Sequence, residues 1–359
     1  MLLPYALVCM PGQVNINGMK LGEQDRTYII AEIGSNHDGS KERAKKLIDL
    51  AAECGADAVK FQAFKADRIV SAYGFDGLKA GFQQDWEDPV YQVYQDAELP
   101  REWLDDLVPY ARNQGIDFLC SPYDYEAVDL LSEYDVPAFK IGSGDITWHN
   151  FLEYVAKHNQ PIILATGAST VAEIEEALEV IRPHNNEIIL LQCVTNYPSE
   201  FDSANIRAMS AMDDAFEVQV GYSDHTPGNT VPLAAVSRGA CVIEKHFTDD
   251  KSRSGPDHEF AMNVNEFKQM VTSVRKLNTA LGSSHKRVYE EENTPRVLQR
   301  RALRADKELK KGDTITDEDI TALRPCPEDA LEPKYRDTIT GRTVTERISQ
   351  GEHFSWENV

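Results

Sequence analysis

The chain lacks any apolar run approaching the roughly 18–20 residues that a membrane-spanning helix needs. Its first ten residues are apolar, but they carry neither a basic start nor a small-residue cleavage site, so they do not read as a signal peptide. Positive charge is scarce: 37 Lys and Arg face 59 Asp and Glu, a formal net charge of −22. That balance excludes nucleic acid, whose phosphates must be neutralised by cations, and anionic membrane surfaces. It does not exclude a small anionic substrate, because a site is a local field rather than an average. CxxC spacing is absent too. Six cysteines (Cys9, Cys54, Cys120, Cys193, Cys241 and Cys326) are scattered, most of them inside apolar runs such as DFLCSPY. They read as reduced, buried thiols of a cytoplasmic protein rather than as disulfides or metal ligands.

What is present is an alternation of two textures from residue 27 to about 280. Eight short apolar runs read as parallel strands covered on both faces: TYIIAEIG, DAVKFQAF, DFLCSPY, AFKIGSGD, PIILATG, IILLQCVTNY, EVQVGYSD and CVIEKHFT. Helical patterns separate them. Ala44, Leu47, Ile48 and Ala51 recur at helix spacing, as do Ile174, Leu178 and Ile181, with Ser40 and Ser169 or Thr170 as N-caps.

Eight strand–helix units in about 250 residues fit a (β/α)₈ (TIM) barrel, with a doubly wound open sheet as the alternative. The polar residues decide. Glu32, Lys60, Gln62, Ser121, Lys140, Ser143, Asp145, Tyr197, Ser223, His225 and His246 stand at the C-terminal ends of many different strands. An open sheet gathers its site at one switch point, whereas a barrel brings every strand end to one mouth.

The barrel is expected to span 1–282, with 1–26 forming a hairpin across its floor around the Asn17-Gly18 turn signal. Residues 67–99, long and aromatic, read as a loop with short helices over the mouth. A polar linker at 283–297 then leads to a small β-rich domain at 298–359.

His225 and His246 end the seventh and eighth strands, close enough for two imidazoles to share one divalent ion with positions left for water and substrate. Lys60 and Lys140 lie inside apolar strands, a costly place for an unpaired ammonium. They read as an internal salt bridge, as a Schiff-base lysine, or, with Gly142, Ser143 and Gly144, as a clamp for phosphate and carboxylate. His37, Ser223 and Asp224 fit supporting roles as well as direct ones.

Taken together, the stretches IIAEIGSNHDGS, GADAVKFQ, FLCSPY, PAFKIGSGD, ILATG, CVTNYP, VGYSDHT and VIEKHFTDDKSRSGPDHEF resemble the sialic acid synthase family. That family includes N-acetylneuraminate, legionaminic and pseudaminic acid synthases and spore-coat polysaccharide relatives. The tail, with ALRADKELKKGDTIT and LRP, resembles its antifreeze-like (SAF) domain. The resemblance implies condensation of phosphoenolpyruvate with an open-chain N-acyl mannosamine-type aldehyde, giving a nonulosonic acid and phosphate. It implies Mn²⁺ or Mg²⁺ held by His225 and His246, and a catalytic set of Glu32, Asp257, Lys60 and Lys140. Glu32 and Asp257 would direct a water. Gln62, Ser121, Tyr123, Ser143, Asp145, Thr195, Tyr197 and Ser223 would bind substrates. Arg324 would reach the mouth of a partner subunit, which implies a homodimer with exchanged tails.

Two positions depart from the family pattern: Ala165 stands where a phosphate-binding serine is common, and Thr195 where some members carry asparagine. Competing readings are another phosphoenolpyruvate-dependent keto-sugar acid synthase, a spore-coat enzyme with a different acceptor, a metal-dependent aldolase, and a non-catalytic carbohydrate-binding barrel.

Overall fold

A computed structural model describes residues 12–22, 26–75, 86 and 88–359. Cys9, the first part of the expected floor segment and much of the aromatic loop, including Phe82, lie outside these. Two compact units divide the chain, Met1–Gly282 and Ser283–Val359.

The first unit is a closed barrel of eight parallel strands, as the alternating textures lead one to expect. After a hairpin of β1 (Val14–Ile16) and β2 (Met19–Leu21) come β3 (Tyr28–Glu32), β4 (Ala58–Ala63), β5 (Asp117–Pro122) and β6 (Phe139–Ile141). β7 (Ile162–Ala165), β8 (Ile188–Cys193), β9 (Gln219–Asp224) and β10 (Val242–His246) complete the ring, and β10 pairs with β3.

Alternation along each strand sorts the interior into layers. Outward residues such as Ile29, Val59, Phe118, Leu164 and Ile243 pack under the helices. Inward residues Tyr28, Ile30, Leu119, Ile163, Ile189 and Val242 form an apolar layer with Val14, Ile16 and Leu21 of the hairpin. The hairpin turn uses positive φ at Asn17 and Gly18. Asn17 Nδ2 donates to Asp117 Oδ1 at 2.6 Å, at the start of β5. The next inward positions up most of the strands, among them Glu32, Lys60, Ser121, Lys140, Ser223 and Glu244, are polar, so the layer above the apolar plug is where chemistry can sit.

Helices keep that ring in place. Residues 41–54 bury Ala44, Leu47, Ile48 and Ala51; Ser40 accepts the Arg43 amide at the N-cap, and Gly55 ends the helix at φ +83°. Residues 171–181 begin with a reciprocal Thr170–Glu173 capping box. Within the aromatic segment, the described residues form short helices at Ala66–Ile69 and Val90–Asp96. No helix among the described residues is long and apolar enough to cross a membrane.

The second unit has its own core of Leu303, Leu309, Ile315, Leu331, Ile339, Val344, Ile348 and Phe354. β11 (Ala302–Ala305) and β12 (Ile320–Leu323) pair antiparallel within it. Asn293–Gln299, overlapping the stretch read as linker, form a short helix.

Candidate active site

Glu32, Lys60, Ser121, Lys140, Ser223, Glu244 and His246 are all buried inward residues at or near the C-terminal strand ends. Lys60 Nζ lies 2.8 Å from Glu32 Oε2 and 3.7 Å from Glu244 Oε2, and it donates to Ser121 Oγ at 3.3 Å. Lys140 Nζ lies 3.4 Å from Glu244 Oε1, which also accepts from Ser223 Oγ at 2.9 Å. Two ammonium groups thus flank one carboxylate. Burial opposes ionisation of Glu244, but Lys140 and Lys60 outweigh it and hold this carboxyl at about 2. Glu32 goes the other way: burial raises it, against the pull of Lys60.

Gln62 Nε2 donates to Glu32 Oε1 at 2.6 Å, and Asp257 Oδ2 accepts the Ser35 amide at 3.1 Å. Asp257 reaches this corner because Gly34 lets it. A side chain begun at residue 34 would meet Asp257 Oδ2 at 2.6 Å, and Gly34 has φ +52°, which L side chains rarely adopt. Burial raises the Asp257 carboxyl to about 6, further lifted by Glu32 and opposed by Lys60 and the Ser35 amide. A raised folded-state value means extra protons bound on folding between the ordinary carboxylate range and about pH 6. Stability therefore falls as pH rises through that window. Asp257→Asn is expected to flatten the fall, and denaturant unfolding at pH 4 and pH 7 measures it; an unchanged pH dependence would reject the assignment.

Opposite this corner, Ser143 Oγ accepts the Gly167 amide at 2.9 Å and lies 3.1 Å from Cys193 Sγ. Thr195 crowds the same place: its Cγ2 would stand 2.7 Å from any side chain begun at Gly167. Ala165 is buried at the end of β7. The neighbouring Thr166 hydroxyl does not take over from the missing serine, because it donates to Leu191 O at 2.9 Å. Asp145 ends the turn after Lys140, and burial raises its carboxyl to about 6 against the pull of Lys140. The Tyr123 hydroxyl faces Gly142, and its ring meets Phe64 edge-on at 6.0 Å.

The two imidazoles stand with ring centroids 5.5 Å apart. The Tyr197 ring lies 4.0 Å from His225, tilted by 38°, and Phe260 lies 4.9 Å from His246. His225 Nδ1 is 2.7 Å from Val194 O. A carbonyl can only accept, so Nδ1 carries the proton and Nε2 keeps its lone pair. Burial holds His225 at about 4 and His246 well below the usual histidine range. His246 Nδ1 is buried with no hydrogen-bond partner among the described residues. Both rings are therefore neutral, the form that binds a metal. No cluster of three or more His, Cys, Asp or Glu side chains converges as a cation site among the described residues. The pair still fits a divalent ion that takes its remaining ligands from water or substrate.

Between Gln62 and Asp257 on one side and Phe64, Trp86, Val93, Tyr94, Ala97 and Pro256 on the other opens a small pocket of about 70 Å³. Asp38, Asp88 and Asp96 line the adjoining space. Arg324 belongs to the second unit, exposed just after β12 and without an ion-pair partner among the described residues.

Three features escaped the sequence reading. Glu244 was legible, since it lies two residues before His246 on the same strand and so faces the same way. Cys193 was legible on the same grounds, two residues after inward Leu191. Phe260 comes from a loop whose return to the mouth no local pattern announces, whereas Trp86, Val93, Tyr94 and Ala97 fall in the 67–99 stretch expected over the mouth.

Comparison with known proteins agrees over nearly the whole length. Residues 47–286 match the NeuB family and residues 300–359 the SAF domain. The N,N'-diacetyllegionaminic acid synthase of Campylobacter jejuni is 40% identical over 91% of this chain and 98% of its own. The crystal structure of the N-acetylneuraminic acid synthetase of Leptospira borgpetersenii superposes with a TM-score of 0.71 at 30% identity, covering 80% of this chain and 95% of its own. That of the Bacillus subtilis spore coat polysaccharide biosynthesis protein spsE gives 0.66 at 35% identity, covering 97% and 99%.

Proposed function

The chain belongs to the NeuB family and carries a C-terminal SAF domain, and we propose that its barrel mouth condenses phosphoenolpyruvate with an open-chain N-acyl mannosamine-type aldehyde. A carbon–carbon bond forms between carbon 3 of phosphoenolpyruvate and the aldehyde carbon. Water adds at carbon 2, the bond from that carbon to the phosphate oxygen breaks, and a nonulosonic acid and inorganic phosphate leave.

The observation that carries this reading is the pair of buried ammonium groups beside two neutral imidazoles at one mouth. Lys60 and Lys140, with Ser121, Ser143 and Ser223, supply the local positive field that a trianion requires within an acidic protein. Glu32 and Asp257 lie where a water can be oriented and its proton accepted. A divalent ion on His225 and His246, Mn²⁺ or Mg²⁺, would supply Lewis-acid polarisation of the aldehyde oxygen. Gln62, Tyr123, Asp145, Thr195 and Tyr197 would contact substrates. Exchange of SAF domains in a homodimer would deliver the partner subunit's Arg324 to each mouth. Five buried free thiols suit a reducing, cytoplasmic setting.

The acceptor wall favours a sugar without phosphate. Its described lining includes Asp257, Asp88 and Asp96 and no lysine or arginine, while the charge of Asp38 is met by Arg43 and Arg253, so a dianionic 6-phosphate would meet like charge from the other three. Phosphate release should require both phosphoenolpyruvate and an N-acyl amino-sugar aldehyde, with unphosphorylated acceptors turned over faster than their 6-phosphates. An acceptor panel read by phosphate release and product mass tests both parts. Release from no acceptor would reject the synthase reading; faster turnover of the 6-phosphates would reject the acceptor assignment alone.

A further inference from the structure

We propose that Lys245 and Asp224 are positioning residues for the two histidines, with one buried ammonium holding the turn around His225 from the strand that carries His246. The inference rests on the metal reading given above for that pair.

Alternation along β10 sends Glu244 and His246 into the barrel and Lys245 out, under the helices. Asp224 ends β9 on the same outer side and is the register partner of Lys245. Their side chains are 1% and 0% exposed. Lys245 Nζ lies 2.5 Å from Asp224 Oδ2 and also donates to the carbonyl of Thr226. The other carboxylate oxygen, Asp224 Oδ1, accepts from the Thr226 amide at 3.0 Å and from its hydroxyl at 2.8 Å. His225 is therefore bracketed. The residue before it and the residue after it are both tied to a lysine whose chain neighbour is His246.

This arrangement is hard to explain by stability. The surrounding layer is apolar, with Tyr222 and Ile243 beside the pair. Replacing a buried ion pair by apolar residues of similar volume is often neutral or stabilising. What charges offer here and hydrocarbon does not is direction: one donor aimed at two acceptors fixes β9 against β10 at their ends. That spacing sets how far apart the two imidazoles stand. Metal ligands are sensitive to such support, with losses of roughly 10–100-fold in affinity when it is removed.

The test is Mn²⁺ affinity, measured on the full-length protein by electron paramagnetic resonance of the free ion, alongside the thermal unfolding midpoint. The double variant Asp224→Leu with Lys245→Met removes both charges together. It is expected to stay folded, with a midpoint lowered by the hydrogen bonds that buried Thr226 loses, while binding Mn²⁺ roughly 10–100-fold more weakly. Should it not fold, Asp224→Asn carries the same measurement, because it keeps the side-chain shape and the Thr226 hydrogen bonds. Affinity within twofold of the parent in a folded variant would overturn the inference and leave the metal reading standing. A parent that binds no more Mn²⁺ than His246→Ala would overturn the metal reading itself, and this inference with it.

Discussion

Replacing His246 by alanine is expected to lower phosphate release by roughly three orders of magnitude while leaving the barrel folded. A metal-held Lewis acid is worth several kcal/mol in the transition state, and each 1.36 kcal/mol is a factor of about ten in rate. Stability should change little by comparison. The ring is neutral, its Nδ1 has no hydrogen-bond partner among the described residues, and truncation forfeits only its packing on Phe260 and Tyr197. Such aromatic contacts are worth about 0.5–1.5 kcal/mol each. A coupled phosphate assay and a thermal melt on the same preparation separate the two effects. Activity within tenfold of the parent would remove His246 from the chemistry, and a collapsed melt would make it a core residue instead.

The second large effect concerns Glu244. Its removal as Glu244→Ala leaves Lys140 without any ion pair and Lys60 with Glu32 alone, among the described residues. Breaking one side of a buried charge set costs about 3–5 kcal/mol, so denaturant unfolding should show a loss of that order. Adding phosphoenolpyruvate should restore stability to the variant by a larger increment than it adds to the parent. An anion in the ring would supply the charge that Glu244 supplied, and a ligand bound only to the folded state stabilises it by RT ln(1 + L/Kd), where L is the free ligand concentration. Equal increments in both proteins would show that the lysines do not face the substrate.

Much of this ring was legible because its members break a rule. Lys60, Lys140, Glu32 and His246 sit inside apolar runs, where an ionisable group has to be explained, and period-two alternation tells which of them share a face. The barrel was legible for a related reason: strands covered on both sides are unbroken stretches of apolar residues. What could not be read was which individual residues a returning loop brings together. Asp257 meets Ser35 across 222 residues of sequence, and only family resemblance singled it out. The lysines illustrate a subtler gap. Sequence allowed salt bridge or anion clamp as alternatives, whereas the structure pairs both ammonium groups with carboxylates at the very mouth where an anion would arrive, so one reading does not exclude the other. Glu244 escaped notice because the conspicuous histidine two residues later drew the reading of that strand.

Among the described residues the Val14–Leu21 hairpin closes the barrel on the side away from the strand-end mouth. In the condensation proposed above, whatever settles on the strand-borne lysines would then enter past the wall pocket, and phosphate would leave by the same way. An order of binding and release would then follow from a few apolar residues at the far end of the barrel.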